Sequence, residues 1–148
     1  MIDRPSAVLF ACAMNAVRSP IAEAILKHLR GQHIYVDSVG VRAAGAVDGF
    51  AIAIMDEIGI DLTNHKIKTF DDLEDSSYDL VISLSPEAQH KAVEMTRTMA
   101  CSVEYWPTFD VTVVEGDRET KLTAYRALRD SLFKRIKERF PTDTAAGG

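Results

Sequence analysis

The stretch AVLFACAMNAVRSP (residues 7–20) carries the strongest structural signal in the chain and includes the candidate reactive cysteine. Its first five residues form an unbroken apolar run with Val and Phe, which is typical of a buried parallel strand. Residues 12–18 follow as a short loop. Ser19-Pro20 then predicts the start of a helix, with Ser19 as N-cap and proline at the first helical position. The stretch therefore predicts a strand, a tight loop and a helix in direct succession.

Strand and helix patterns alternate along the rest of the chain. This alternation predicts an α/β sandwich with a mostly parallel sheet. In such sheets ligands bind beyond the carboxyl ends of the strands, and Cys12 directly follows the first strand. The further strands are predicted at 34–38, 80–83 and 102–105, and the further helices at 47–58, after Ser85-Pro86 and at 118–140.

Composition and charge exclude several classes of protein. The 148 residues predict one domain over 1–140 with a disordered tail at 141–148. A net charge of −5 argues against a nucleic-acid binder. No apolar run is long enough for a membrane helix, and the N-terminus is a poor signal peptide, so we expect a cytoplasmic protein without a membrane partner. We expect no metal or other cofactor.

The spacing Cys-x5-Arg-Ser, formed by Cys12, Arg18 and Ser19, predicts an oxyanion site. Loop amides at a helix start can cradle an anion, and the Arg18 fork matches two of its oxygens. The same positive field favours the Cys12 thiolate, to which Ser19 can donate a hydrogen bond. A thiolate beneath a tetrahedral anion is arranged for in-line displacement through a covalent intermediate. The loop residues are Ala13, Met14, Asn15, Ala16 and Val17.

The two cysteines keep alternative interpretations. Cys12 could instead be a buried structural thiol. Cys101 directly precedes the predicted fourth strand and has no arginine six positions later, so we interpret it as a structural thiol. Its alternative role is that of a redox partner for Cys12. Without a CxxC pair, neither a disulfide framework nor a four-ligand zinc site is predicted.

With these motifs in place, the chain resembles the low molecular weight protein tyrosine phosphatases and the related thioredoxin-coupled arsenate reductases. The resemblance covers about residues 6–140. It implies a four-stranded parallel sheet flanked by helices on both faces. It also implies metal-free hydrolysis of a phosphotyrosine protein or a small aryl phosphate through a cysteinyl-phosphate. The motifs that carry it are VLFACAMNAVRSPIAEAI (8–25), DSVG (37–40), GIDLTNH (59–65) and YDLVISL (78–84).

The resemblance also implies roles for polar residues around the loop. Arg18 would hold the phosphate and stabilise the transition state. Asn15, Ser38 and His65 match the positions that brace the loop. Asn15 also suits a tight anion loop on physical grounds, because Asn tolerates a positive φ. His65 could instead be a half-exposed loop histidine.

Asp110 matches the general acid, which would protonate the leaving group and later deprotonate water. Its alternative is an ordinary loop or capping aspartate. Asp117 is instead predicted to be the N-cap of the last helix, and Glu115 aligns less well than Asp110 with the general acid of the family. An aromatic cluster could form either a substrate wall or part of the core; its members are Tyr105, Trp106 and Phe109.

Several positions depart from the family pattern. Met14 stands where glycine is usual, Val17 replaces a second loop cysteine, and Val111 follows Asp110 in place of proline. Ser85 lies where the arsenate reductases have a resolving cysteine, so a complete thiol relay within the chain is not expected. Three functions remain open: a phosphatase, an arsenate reductase that uses an external thiol or redoxin, and a phosphate-binding module without turnover.

Overall fold

Eight regular elements alternate along the chain in the computed structural model, which describes residues 4–73 and 77–142. Strands and helices follow one another as the sequence predicts. Short 3₁₀ turns lie at Phe70–Asp72 and Val111–Val113. The elements are β1 (Ala7–Cys12), α1 (Arg18–Arg30), β2 (Tyr35–Gly40), α2 (Gly49–Asp56), β3 (Leu80–Ser83), α3 (Pro86–Met95), β4 (Ser102–Tyr105) and α4 (Arg118–Arg139).

The four strands form one parallel sheet in the order β2-β1-β3-β4. β1 is central and pairs with β2 through the register Ala7↔Tyr35 and with β3 through Val8↔Leu80. Because all strands run in the same direction, the loops that follow them meet at one edge of the sheet. The four-stranded parallel sheet is therefore confirmed, and Cys12 lies at its carboxyl edge.

Helices cover both faces of the sheet. Alternate side chains of β1 point to opposite faces, as the two-residue period of a strand requires. Val8 and Phe10 pack in the larger core with α1, α2 and α4, whereas Leu9 and Ala11 pack in a smaller core with α3. Because β1 is buried on both faces, its sequence is a continuous apolar run.

The structure corrects one helix boundary and confirms two caps. α1 begins at Arg18, and Val17 occupies its N-cap position without a side-chain cap, so Ser19 is not the cap. Ser19 has another use, because its hydroxyl lies beside the Cys12 thiol. Ser85 and Asp117 do cap α3 and α4, accepting hydrogen bonds from amides of the first helical turn.

The second helix is shorter than the predicted 47–58. Asp48 is its N-cap and accepts hydrogen bonds from the amides of Phe50 and Ala51. Gly59 follows the helix with a φ of 78°, a conformation that glycine adopts at little cost. The tail predicted as disordered lies outside the described residues from position 143 onward. Within the part that is described, no helix is long and apolar enough to cross a bilayer.

Candidate active site

The loop between β1 and α1 turns its carbonyls outward. The amides of Val41 and Arg42 donate to the carbonyls of Cys12 and Ala13 over 3.0 and 2.8 Å. The carbonyls of residues 14 and 16 are likewise bonded to amides of the segment that follows β2. In contrast, the amides of residues 13–17 donate no hydrogen bond to any described protein group. Unpaired amides in a loop that leads into a helix N-terminus form an anion-binding nest.

Gly40 at the end of β2 allows the loop to pack closely against the sheet. A Cβ atom at this position would lie 2.7 Å from the backbone nitrogen of Asn15 and 2.7 Å from the backbone carbon of Met14. Real Cβ atoms do not approach backbone this closely, so only glycine fits here. The position of the anion loop therefore depends on a residue that is distant in sequence.

The Cys12 thiol lies at the base of the loop and is only 2% exposed. Its Sγ is 2.9 Å from the Ser19 hydroxyl. Since Ser19 Oγ already accepts a hydrogen bond from Asn15 Nδ2, its own proton is available for an acceptor. The two acceptors within reach are Cys12 Sγ and, at the longer distance of 3.3 Å, the carbonyl of Val39. Ser19 is therefore placed to donate to the sulfur.

Asn15 is the centre of a buried hydrogen-bond network. Its φ is 54°, and among the described residues it is the single non-glycine residue with a positive φ. The backbone amide of Lys68 donates to Asn15 Oδ1 over 3.0 Å, which fixes the orientation of the side-chain amide. Nδ2 must then donate to Ser19 and Ser38, at 2.8 and 2.9 Å. His65 Nε2, 3.0 Å from the same Oδ1, must be a donor as well.

The network ends on Glu23, a buried carboxylate that the sequence analysis missed. Ser38 Oγ donates to Glu23 Oε1 over 2.5 Å, and Lys27 Nζ lies 2.5 Å from Oε2. His65 Nδ1 is 3.6 Å from Glu23 Oε1. Burial lowers the pKa of His65, and the negative charge of Glu23 opposes that shift. The spacing of Glu23 and Lys27 by four residues is typical of a surface ion pair, which explains why sequence alone did not reveal the burial.

Arg18 lies at the first position of α1 and is 9% exposed. Its Nη1 donates to the carbonyl of Thr108, 3.0 Å away in the loop after β4. The amide of Thr108 in turn donates to the carbonyl of Leu84 at the end of β3. The arginine of the anion loop and the segment that carries Asp110 are thus in direct contact.

A cavity of about 150 Å³ opens above the Cys12 thiol. Asp110 lines this cavity together with Cys12 and Arg18, although Asp110 is far from both in the sequence. Ala44 and Asp48, from the segment after β2, also line the cavity and were not expected from the sequence. The remaining lining residues are Ala13, Met14, Ala16, Val17 and Thr112.

Asp110 is held by a local turn. Its Oδ1 accepts a hydrogen bond from the backbone amide of Thr112 at 3.0 Å and another from the Thr112 hydroxyl at 2.6 Å. The turn therefore fixes one carboxyl oxygen of Asp110. Asp117 lies elsewhere, as the cap of α4, and Glu115 is not among the residues that line the cavity.

The expected aromatic wall is not present at this cavity, and Trp106 is corrected to a core residue. Trp106 is 3% exposed, its ring meets Phe10 edge to face, and the Arg135 guanidinium lies 4.4 Å above it. Phe109 is 64% exposed and lines a separate apolar cavity of about 370 Å³ between its loop and α4. Tyr105 does not line the cavity above Cys12 either. Of the two alternatives that the sequence left open for the cluster, Trp106 therefore takes the core position.

Cys101 lies at the opposite edge of the sheet from Cys12. The next residue, Ser102, pairs with Leu80, which pairs with Val8 at the amino end of β1. At about 3.3 Å per residue, Val8 is about 13 Å from Cys12 along the strand. Burial also raises the pKa of the Cys101 thiol, which disfavours the reactive thiolate. The structure therefore separates the two cysteines, and Cys101 is not a redox partner within reach of Cys12.

No cluster of three or more His, Cys, Asp or Glu side chains suited to a metal ion occurs in residues 4–73 and 77–142. The groups that converge above Cys12 are instead amides, a guanidinium, a hydroxyl and a carboxyl. Together they can bind a tetrahedral oxyanion, place a sulfur nucleophile below it and supply a proton.

Comparisons with known proteins show which proteins this chain is similar to in sequence and fold. An arsenate reductase from Bacillus subtilis is 31% identical over 131 residues, which cover 88% of this chain and 92% of that protein. The structure of an arsenate reductase in the phosphate-binding state superposes with a TM-score of 0.68 at 27% identity, covering 89% of this chain and 94% of that one. A tyrosine phosphatase from Erwinia amylovora shares the fold, with a TM-score of 0.74, 17% identity and 91% coverage of each chain.

The family model for low molecular weight phosphotyrosine protein phosphatases matches residues 7–139, nearly the whole of the described structure. The match includes the anion loop, its bracing residues and the segment of Asp110. The chain therefore belongs to the low molecular weight phosphotyrosine protein phosphatase family.

Proposed function

We propose that this protein hydrolyses phosphomonoesters through a cysteinyl-phosphate intermediate. The observation that carries the proposal is that Asp110 lines the same cavity as Cys12 and Arg18. An anion-binding module needs only the loop and the arginine. A carboxyl group above the thiol is required when an alkoxide or phenolate must leave with a proton.

In the first step, the Cys12 thiolate attacks phosphorus and the S–P bond forms as the ester P–O bond breaks. Asp110 transfers its proton to the departing oxygen, so the leaving group departs as a neutral alcohol or phenol. The amides of residues 13–17 and the Arg18 guanidinium bind the equatorial oxygens, on which charge is spread in the transition state. Ser19 stabilises the thiolate before attack and after its release.

In the second step, water attacks the cysteinyl-phosphate. Asp110, now ionised, accepts a proton from this water as the O–P bond forms and the S–P bond breaks. Inorganic phosphate leaves, and both the Cys12 thiolate and the protonated Asp110 are restored. No external reductant or metal takes part in this cycle.

The substrates that we propose are a phosphotyrosine side chain or a small aryl phosphate. The cavity is small, and Met14 at its mouth is 39% exposed, so Met14 would supply much of the apolar contact to the leaving group. With Trp106 in the core and Phe109 facing another cavity, we expect weak stacking and therefore modest selectivity for aryl over alkyl esters.

A second candidate function is arsenate reduction with an external thiol. It is favoured by the names of relatives such as the arsenate reductase from Bacillus subtilis. Cys12 would attack arsenate and displace water, and a thiol from outside would then attack Cys12 Sγ, releasing arsenite and leaving a mixed disulfide. A second thiol would restore Cys12 and complete the two-electron reduction. The external donor is needed because Cys101 lies too far away and Ser85 replaces a nearby cysteine.

The test is steady-state hydrolysis of 4-nitrophenyl phosphate by wild type, Cys12→Ser and the matched control Cys101→Ser. We expect turnover that falls by at least about 10³-fold in Cys12→Ser and stays within about twofold in Cys101→Ser. Arsenate is assayed in parallel with a small thiol or a glutaredoxin as donor. Hydrolysis that survives in Cys12→Ser would contradict the proposal. Arsenite formation without ester hydrolysis would support the second function, and orthovanadate binding without either would indicate a binding module.

A further inference from the structure

We propose that Thr112 is a positioning residue that determines which oxygen of Asp110 carries the acid proton. This inference rests on the proposed phosphatase function and assigns a role to a residue that does not itself react. It starts from the two hydrogen bonds that Asp110 Oδ1 accepts from the backbone amide and the hydroxyl of Thr112.

The bonding at Oδ1 restricts the position of the proton. An oxygen that accepts hydrogen bonds from an N–H at 3.0 Å and an O–H at 2.6 Å is poorly placed to carry a proton of its own. Oδ2, by contrast, accepts no hydrogen bond from the described residues, so the acid proton is directed to Oδ2. Thr112 and Asp110 both line the cavity above Cys12.

The rest of the loop fixes this carboxyl relative to the phosphate. Arg18 donates to the carbonyl of Thr108, two residues before Asp110, and the same arginine would bind the phosphate oxygens. Val111 follows Asp110 and, unlike proline, does not restrict its own φ. The Thr112 bonds therefore supply a constraint on the turn that covalent structure does not provide.

The chain contains a second copy of this turn, away from the cavity. Asp61 Oδ1 accepts from the amide of Thr63 at 2.9 Å and from its hydroxyl at 2.6 Å. These bonds lower the pKa of Asp61, and the Thr63 hydroxyl contributes most. Asp61 does not line the cavity above Cys12, so Thr63 provides a matched control for Thr112.

The experiment compares Thr112→Val, Thr112→Ser and the matched control Thr63→Val with wild type. Valine keeps the shape and the backbone amide but removes the hydroxyl. The measurement is kcat/KM for phenyl phosphate, which has a poor leaving group, and for 4-nitrophenyl phosphate, which has a good one. Thermal unfolding of each variant serves as the control for folding.

In Thr112→Val we expect kcat/KM to fall about tenfold for phenyl phosphate and about twofold for 4-nitrophenyl phosphate, because only the poor leaving group depends strongly on the acid. Thr112→Ser should restore kcat/KM for both substrates. Thr63→Val should match wild type in kcat/KM for both substrates.

Two results would overturn the inference alone. One is an active wild type whose leaving-group dependence is unchanged in Thr112→Val. The other is a Thr112→Ser variant that behaves like Thr112→Val, because the hydroxyl would then not be the group that matters. A wild type without Cys12-dependent hydrolysis would instead overturn the proposed function, and this inference with it.

Discussion

The anion loop and the Asp110 loop face the same cavity but are held in different ways. Asn15 reaches partners that are 23 and 50 residues away, in Ser38 and His65, and it is fully buried. Asp110 is held by Thr112, only 2 residues away, in an exposed turn. The Asn15 side chain is fixed by long-range contacts, whereas the Asp110 carboxyl is fixed by a local turn, although the loop that carries it is positioned by the long-range contact of Arg18 with Thr108.

Under the proposed function, this difference separates oxyanion binding from proton transfer. A cradle for an oxyanion must keep its amides in place before the ligand arrives, so that no reorganisation is needed during reaction. Buried long-range hydrogen bonds provide this rigidity, and losing one leaves polar groups without partners. An acid that must approach varied leaving groups needs only a defined carboxyl on an accessible turn. Substitutions in the two regions should therefore affect activity and stability in different proportions.

The largest effect on activity without loss of stability is expected for Asp110→Asn. Asparagine retains an acceptor for Thr112, so the turn is kept while the transferable proton is lost. We expect kcat/KM for phenyl phosphate to fall about 10²–10³-fold, with a much smaller loss for 4-nitrophenyl phosphate. The unfolding temperature should stay within about 1 °C of wild type. An equal loss for both substrates would remove Asp110 from the acid role.

Asn15→Ala should reduce both stability and activity. It removes the hydrogen bonds to Ser19, Ser38 and His65 and places alanine at a φ of 54°. We expect a loss of about 3 kcal/mol in the free energy of unfolding and about tenfold in kcat/KM. Chemical denaturation and steady-state kinetics measure the two quantities.

Asn15→Gly is the matched variant, because glycine accepts the positive φ but makes none of the side-chain bonds. It should recover about 1 kcal/mol of stability relative to Asn15→Ala without recovering activity. If both variants unfolded like wild type, the buried network would not stabilise the loop, and the contrast between the two regions would fail.

The smallest effect is expected outside both regions, at Glu57. The guanidinium groups of Arg126 and Arg129 lower the pKa of Glu57 to about 2. Because the folded pKa lies below the unfolded value of 4.5, this stabilisation is present at neutral pH and is lost as the pH falls toward 2.

We therefore expect Glu57→Gln to lower the unfolding temperature by about 1–3 °C at pH 7, with unchanged kcat/KM. The difference from wild type should narrow between about pH 5 and about pH 3. A difference that stays constant over this range would show that the charge of Glu57 does not contribute through these pairs.

Local signals predicted the elements and the centre of the site. The apolar run of β1, the loop at 12–18 and the caps at Ser85 and Asp117 each depend on a few neighbouring residues. The positive φ of Asn15 was expected for the same reason, because few residue types adopt it. Ser19 shows the limit of local reasoning, since its hydroxyl had two plausible partners and only the packed loop selected the thiol.

The misassigned and missed residues depend on contacts between distant segments. Trp106 and Phe109 are near neighbours in sequence, yet one is in the core and the other faces solvent. Glu23 stands four residues before Lys27, a spacing that is common on helix surfaces, yet it is buried. Ala44 and Asp48 carry no motif and reach the cavity only because their segment packs on the loop carbonyls.

From the sequence alone it follows that a strand leads to Cys12 and that Arg18 stands six residues later near a helix start, because strand patterns and residue spacing are local properties. The tertiary structure is needed to bring Asp110 to the cavity of Cys12, to keep Cys101 away from it, and to join Glu23 and His65 to the hydrogen-bond network of Asn15. These outcomes depend on the order of parallel strands and on which loops meet at one edge of the sheet. No local pattern encodes that arrangement, because it is set by the packing of segments far apart in the chain.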